Sequence, residues 1–210
     1  MMSSLNRTRF TEWLIRENRL AEPGLKEWIF CPGMLFHAVY KWWGDKGPRN
    51  IPHEGLDLFL YKDRQDRIVR LDEKTRIPVM FDGVVVSIIN DFLGNSVIVE
   101  HASPDRDTGR ACTIYGHTNL LKGLQVGRGL KKGDIMGTLA DPGESGFNVM
   151  PHLHISVGWA SKPISYDRIN WDTIGDSGTL TLLDPLDVIN WQYQILDDAD
   201  PICRDLSSMT

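Results

Sequence analysis

Hydrophobic and polar positions change their period near residue 50. Before it, "TRFTEWLIRENRL" sets Phe10, Trp13 and Leu14 at helical spacing, which predicts a short amphipathic helix with one apolar face. Pro23-Gly24 ends that segment. Pro32-Gly33 interrupts the next, "LKEWIFCPGMLFHAVYKWWG", which reads as helix or irregular chain packed on a larger domain. From residue 51 the apolar runs shorten to strand length and fill with β-branched and aromatic residues: "GLDLFLY", "VVVSII", "SVIVEH", "ACTIYGH", "DIMGTL" and "HLHISVGW". "NDFLGN" and "PDRDTGR" read as hairpin loops. Strands at this density, with no helical stretch between them, predict a mainly β fold built on an antiparallel sheet, with a short N-terminal helical segment. Residues 161–180 read as a long loop or insertion, and "LLDPLDVINW" as a short terminal helix docked on the sheet. The chain divides accordingly into an N-terminal helical or irregular wrap (1–50), a β domain (51–195) and an acidic C-terminal tail (196–210).

Composition narrows the partners. A net charge of −5 argues against nucleic acid, because phosphate binding needs a basic footprint. The acidity gathers after residue 159, where 3 Lys/Arg face 9 Asp/Glu, and reads as solvated surface. Cys31, Cys112 and Cys203 are odd in number and far apart, with no C-x-x-C, so they read as buried or inert thiols. No run of about 20 apolar residues predicts a membrane span. "MMSSLNRTRFTEWLIRENRL" has neither an apolar h-region nor a small-residue cleavage site, and on these marks alone the chain reads as cytoplasmic.

The histidines change the picture. His152 and His154 stand in "PHLHISVG", and an extended chain repeats every two residues, so both point to one face. Taken alone, such a pair reads first as a solvated edge with two incidental histidines. His53 opens "HEGLD" four residues before Asp57, a spacing that again shares a face in a strand, and Gly55 leaves room for a ligand or backbone to approach. Imidazole and carboxylate are donors that zinc accepts. His53, Asp57 and one histidine of the pair would make three ligands and leave a fourth tetrahedral position for water. The other histidine of the pair and His117, in "IYGH", are then available to accept the water's proton and steady the transition state. His101 reads as satisfying backbone groups at a strand end, and His37 as a packed or snorkelling side chain. Trp42 and Trp43 offer a groove lining, with core packing for at least one of them. Tyr61 and Tyr115 stay unassigned.

"HEGLD", then "YGHTNLL", then "GLKKGDIMGTLADPGESGFNVMPHLHISV", in that order, resemble the lysostaphin-like or β-lytic zinc metallopeptidases over roughly residues 51–159. H-x-G-x-D and H-x-H are weak patterns singly and a strong one jointly. The resemblance implies an antiparallel β metallopeptidase domain that hydrolyses peptide bonds of bacterial peptidoglycan. It implies zinc held by His53, Asp57 and His154, with His117 and His152 as the catalytic pair and peptidoglycan peptides as the partner. Ile51 stands where the family carries an arginine, with Arg49 the nearest basic residue. The alternative is a latent or non-hydrolytic relative that binds wall peptides or regulates another hydrolase, for instance with the first 50 residues lying across the metal. A third class, the two-histidine phosphocarrier domains of sugar transport, has a related all-β architecture but makes no use of H-x-G-x-D ligation.

Overall fold

The structure, a computed structural model, describes residues 6–22, 24–101, 109–144, 149–160, 165–166, 169–171, 173–174 and 180–206. In chain order its elements are α1 (Phe10–Glu17), β1 (Leu25–Phe30), β2 (Leu56–Leu58), β3 (Leu60–Asp63), β4 (Ile68–Arg70), β5 (Arg76–Pro78), β6 (Gly83–Asn90) and β7 (Asn95–His101). There follow β8 (Arg110–Leu120), β9 (Gly129–Leu130), β10 (Ile135–Leu139), β11 (Leu153–Ala160), β12 (Thr181–Leu183), β13 (Tyr193–Ile195) and α2 (Pro201–Asp205). Among the described residues the strands form two sheets. The smaller runs β13-β1-β3-β4. The larger runs β12-β11-β8-β7-β6-β9, with β2 paired to β11 and β10 joining β8 to β5. Among the described strand pairs only β1–β13 is parallel, so the chain adopts the mainly antiparallel β fold that its patterning predicts.

Alternation along β7, β8 and β11 divides their side chains between two apolar clusters. Val97, Val99, Tyr115, Ile155 and Val157 face the main core, while Ile98, Cys112 and Ile114 face a smaller cluster completed by Ile169, Ile174 and Leu180. Helix α1 lies against β5 and buries Phe10 and Leu14, each contributing ~1.5–3 kcal/mol of burial. Leu25–Phe30, where helix or irregular chain is predicted, is a strand instead. Trp28, Ile29 and Phe30 are buried in succession between β13 and β3, and a run buried on both faces has no alternation to read. "NDFLGN" is the β6–β7 hairpin loop, closed by Asp91 N–H donating to Gly94 O at 2.9 Å. "LLDPLDVINW" is the end of β12 and a single 3-10 turn at Pro185–Asp187 rather than a helix, with the Asp184 side chain capping it at Leu186 N–H. Most of "PDRDTGR" and of residues 161–180 lies outside the described residues.

Cys31 and Cys203 form a disulfide across 172 positions, where the sequence spacing reads as inert thiols. Cys112 is the buried free thiol, pushed up to about 12 by burial. Lys46 Nζ reinforces the tie by donating to the carbonyls of Cys203 and Arg204. The loop between β1 and β2 is thereby anchored to α2. Among the described residues no helix is long and apolar enough to cross a membrane.

Candidate metal centre

Asp57 stands directly opposite His154 in the β2–β11 ladder. Gly55 makes that approach possible: a Cβ there would sit 2.2 Å from Ile155 O and 2.7 Å from His154 Nε2. His53, just ahead of β2, is held by the preceding loop. Its N–H donates to Ala38 O (3.0 Å), its carbonyl accepts from His37 N–H (2.9 Å), and its Nδ1 bonds Leu35 O (2.9 Å).

These contacts bring His53, Asp57 and His154 together as a group able to hold a metal ion. His53 Nε2, Asp57 Oδ1 and His154 Nδ1 form a triangle with sides of 3.3 Å (His53–Asp57), 2.9 Å (Asp57–His154) and 3.1 Å (His53–His154). The outward nitrogens are already engaged. His53 Nδ1 faces a carbonyl and so must carry its proton, and His154 Nε2 lies 2.9 Å from Ser156 Oγ. With both protons outward, three lone pairs converge with no proton between them, and a cation relieves that arrangement. Tetrahedral zinc at bonds of ~2.0–2.1 Å has ligand–ligand edges of about 3.3 Å, so the triangle fits such an ion with little movement. Burial by itself would raise the Asp57 carboxyl, but His53, His152 and His154 around it hold it well below the usual range. Burial drives His154 down to about 4 and His152 down to about 3, so both are neutral near pH 7 and keep a lone pair.

His152 completes the near side. Its Nδ1 bonds Met150 O at 2.8 Å, which leaves the lone pair on Nε2, 3.9 Å from Asp57 Oδ1. Trp42 stacks on Phe59, meets His152 edge-on and donates Nε1–H to Asp57 Oδ2 at 2.6 Å. It is the core-packed member of the tryptophan pair. Trp43 is half-buried against Phe92, with the Lys41 ammonium 5.2 Å from its ring centre. Arg49 bonds Gly33 O and lies 3.9 Å from Asp57 Oδ2.

His117 reaches the centre through a backbone irregularity. Strict alternation along β8 would turn it to the Tyr115 face, into the main core. Instead Gly116 and His117 together stand opposite Ser96, between the pairs Val97–Tyr115 and Asn95–Thr118, and His117 takes a φ of +61°. This bulge re-aims the ring. Its centre lies 4.7 Å from that of His152 and 5.9 Å from that of His154. Trp171 packs edge-on against His154 at 4.8 Å and stacks toward His117 at 6.2 Å. None of the five residues is more than 5% exposed. A shallow depression lined by Lys41, Arg49, Glu54 and Trp171 borders them, whereas a larger cavity, about 750 Å³ beside Asp82, His101 and Lys131, lies elsewhere.

The remaining sequence candidates stay out of the cluster. His101 bonds Asp82 O and Thr113 Oγ1. His37 is exposed and stacked on Phe36. The Tyr115 hydroxyl accepts from Met80 N–H in the core, and Tyr61 packs on Trp28. Trp42 and Trp171 are the neighbours that the motifs did not single out as site residues, since neither carries a spacing signal.

The sequence profile of Peptidase family M23 matches residues 67–166, a little under half of the chain, in agreement with the resemblance that the ordered motifs carry. The matched stretch holds His117, His152 and His154, while His53 and Asp57 precede it. Among solved structures the chain is similar to lysostaphin, at 20% identity over 69% of this chain and 46% of that one, with a TM-score of 0.42. It is also similar to the catalytic domain of the prophage-encoded M23 protein EnpA from Enterococcus faecalis (19% identity, 70% and 86% covered, TM-score 0.39). A putative glycyl-glycine endopeptidase LytM from Ruminococcus gnavus gives 19%, 68% and 50%, and 0.41. The chain thus spans about half the length of lysostaphin and of that LytM. No curated protein matches it.

Proposed function

We propose that this chain, with its match to Peptidase family M23, is a zinc metalloendopeptidase that hydrolyses peptide bonds of bacterial peptidoglycan. His53, Asp57 and His154 hold the metal, and His117 and His152 act on the substrate. The observation that carries the reading is the triangle of converging lone pairs, whose edges match zinc and whose outward nitrogens are already bonded. The family match supports the reaction class. Bound zinc supplies a Lewis acid that brings the pKa of water from ~15.7 toward ~7. The chain's own residues orient and exclude. Leu35 O and Trp42 Nε1 hold the outer atoms of His53 and Asp57. His152 and His117 between them accept the water's proton and steady the tetrahedral transition state. Trp42 and Trp171 keep bulk water from the charged cluster.

The test is a digest of purified peptidoglycan by the zinc-loaded protein, with products read by mass spectrometry. Released peptides that vanish with chelator and with His154→Ala are the expected result; no release from zinc-loaded protein contradicts it. A second reading, a latent enzyme, rests on the burial of all five groups beside Trp171. In that case Trp171→Ala raises cleavage, and an unchanged rate counts against latency.

A further inference from the structure

Asp91 lies outside the family motifs and 26 positions before His117, yet its carboxylate is wholly buried against that residue. Oδ1 accepts from the N–H groups of Leu93 and Gly94, each at 2.8 Å. Oδ2 accepts from the Ser96 hydroxyl at 2.5 Å and from the His117 backbone N–H at 2.9 Å. Every neighbour is a donor, so the group is an ionised acceptor. Burial works against that charge, and the contacts with His117 and Ser96 overcome it, holding the carboxyl well below the usual range. His117 Nδ1 lies 3.2 Å from Asp91 Oδ1, off the axis of an ideal hydrogen bond, and has no other polar partner among the described residues. An imidazole nitrogen facing an ionised carboxylate carries the proton, which leaves the lone pair on Nε2.

Asp91 also holds the bulge. A non-glycine residue in the left-handed region costs ~1–3 kcal/mol, and it persists only where the surroundings over-determine it. Here the His117 N–H is bound by Asp91 Oδ2 and its carbonyl by Ala140 N–H at 2.8 Å. His152 has no equivalent support: its Nδ1 goes to the neutral Met150 carbonyl, and its carboxylate neighbour is Asp57, a proposed metal ligand.

We propose that Asp91 is a positioning residue that fixes His117 as the Nδ1–H tautomer and balances the imidazolium formed there, making His117 rather than His152 the proton acceptor in hydrolysis. The water's proton passes to His117 Nε2 as the water oxygen bonds to the scissile carbonyl carbon. The same proton then goes to the amine nitrogen as the C–N bond breaks, and His117 returns to neutral. This inference rests on the peptidase reading above.

The experiment uses the zinc-loaded full chain as wild type, Asp91→Asn and Asp91→Glu. It measures kcat and KM on muropeptides from purified peptidoglycan, zinc affinity by chelator competition, and ¹⁵N resonances of the His117 imidazole. Asp91→Asn is expected to lower kcat by on the order of 100-fold, with KM and zinc affinity unchanged, and Asp91→Glu to restore part of the loss. His117 is expected as the Nδ1–H tautomer in wild type and not in Asp91→Asn. An unchanged kcat in Asp91→Asn, or an Nε2–H tautomer in wild type, overturns the assignment. The wild-type spectrum needs no variant, so a misfolded Asp91→Asn leaves the test standing. Wild type that releases no peptide contradicts the peptidase reading, and the tautomer still decides the Asp91–His117 pairing.

Discussion

His53 and Asp57 are held by one part of the molecule, and His152 and His154 by another. On the first side the support comes from the loop after β1, through Leu35 O, Ala38 O and Trp42 Nε1, with the loop itself tied to α2 by Cys31–Cys203. On the second side it comes from the sheet: β11 runs antiparallel along β8, with Ser156 and Met150 O bonding the two histidines. The family match covers only the second side. The lesson is that the proposed ligands draw their outer support from two separate regions, a cross-linked loop and a sheet. The loop after β1 bonds the outer atoms of His53 and Asp57, not the converging ones.

The comparison breaks most visibly at the shared carboxylate. Asp57→Ala removes the one group that faces both histidines. Its zinc affinity should fall by more than the ~10–100-fold typical of outer-shell changes, with cleavage lost alongside. Metal analysis after dialysis reads the first and the peptidoglycan digest the second. Full zinc content in this variant would end the ligand assignment.

Opening the disulfide tests the loop side alone. Cys31→Ser with Cys203→Ser should cost ~2–5 kcal/mol in denaturant unfolding and weaken zinc binding, because Leu35 and Trp42 lose their anchor. Weaker stability with unaltered zinc affinity would separate the tie from the metal. Trp42→Phe is a finer probe. It keeps the stacking on Phe59 and deletes only the indole N–H, so chelator competition should show a ~10–100-fold weaker site with a smaller loss of stability than the double serine variant. Equal zinc affinity in Trp42→Phe and wild type would remove the loop from the metal's support.

A histidine on the sheet, away from the centre, gives the smallest effect. Burial holds His101 down to about 4, against ~6.5 for an unfolded histidine. The unfolded chain therefore binds the extra proton first, so stability is full above about pH 6.5 and falls as pH drops toward 4. At pH 5 the loss from this residue is about 2 kcal/mol, and the metal-free protein shows it as a shallower pH slope in His101→Asn. An identical slope in both would mean that His101 is not buried as the neutral form.

Much of this was legible in the chain before any coordinates. Short runs of β-branched and aromatic residues mark β6, β7, β8 and β11, and the ordered H-x-G-x-D and H-x-H motifs point at the three residues that converge. What stayed hidden depends on geometry between distant positions. Tyr115 and His117 have the same parity, so only the unpaired residue opposite Ser96 reveals that they face different sides. Cys31 and Cys203 are joined across 172 positions with no spacing rule to link them. Asp91 reads as an ordinary hairpin-loop aspartate, and its loop contacts with Leu93 and Gly94 are of that kind. Its second use, against His117, appears only when β7 and β8 pair.

The most direct measurement is X-ray absorption at the zinc edge of the protein loaded with one equivalent of metal. The account predicts a first shell of nitrogen and oxygen only, at ~2.0–2.1 Å, with the outer-shell scattering of two imidazoles and none from sulfur. A sulfur shell, a single imidazole, or the failure of the protein to retain one zinc would contradict it.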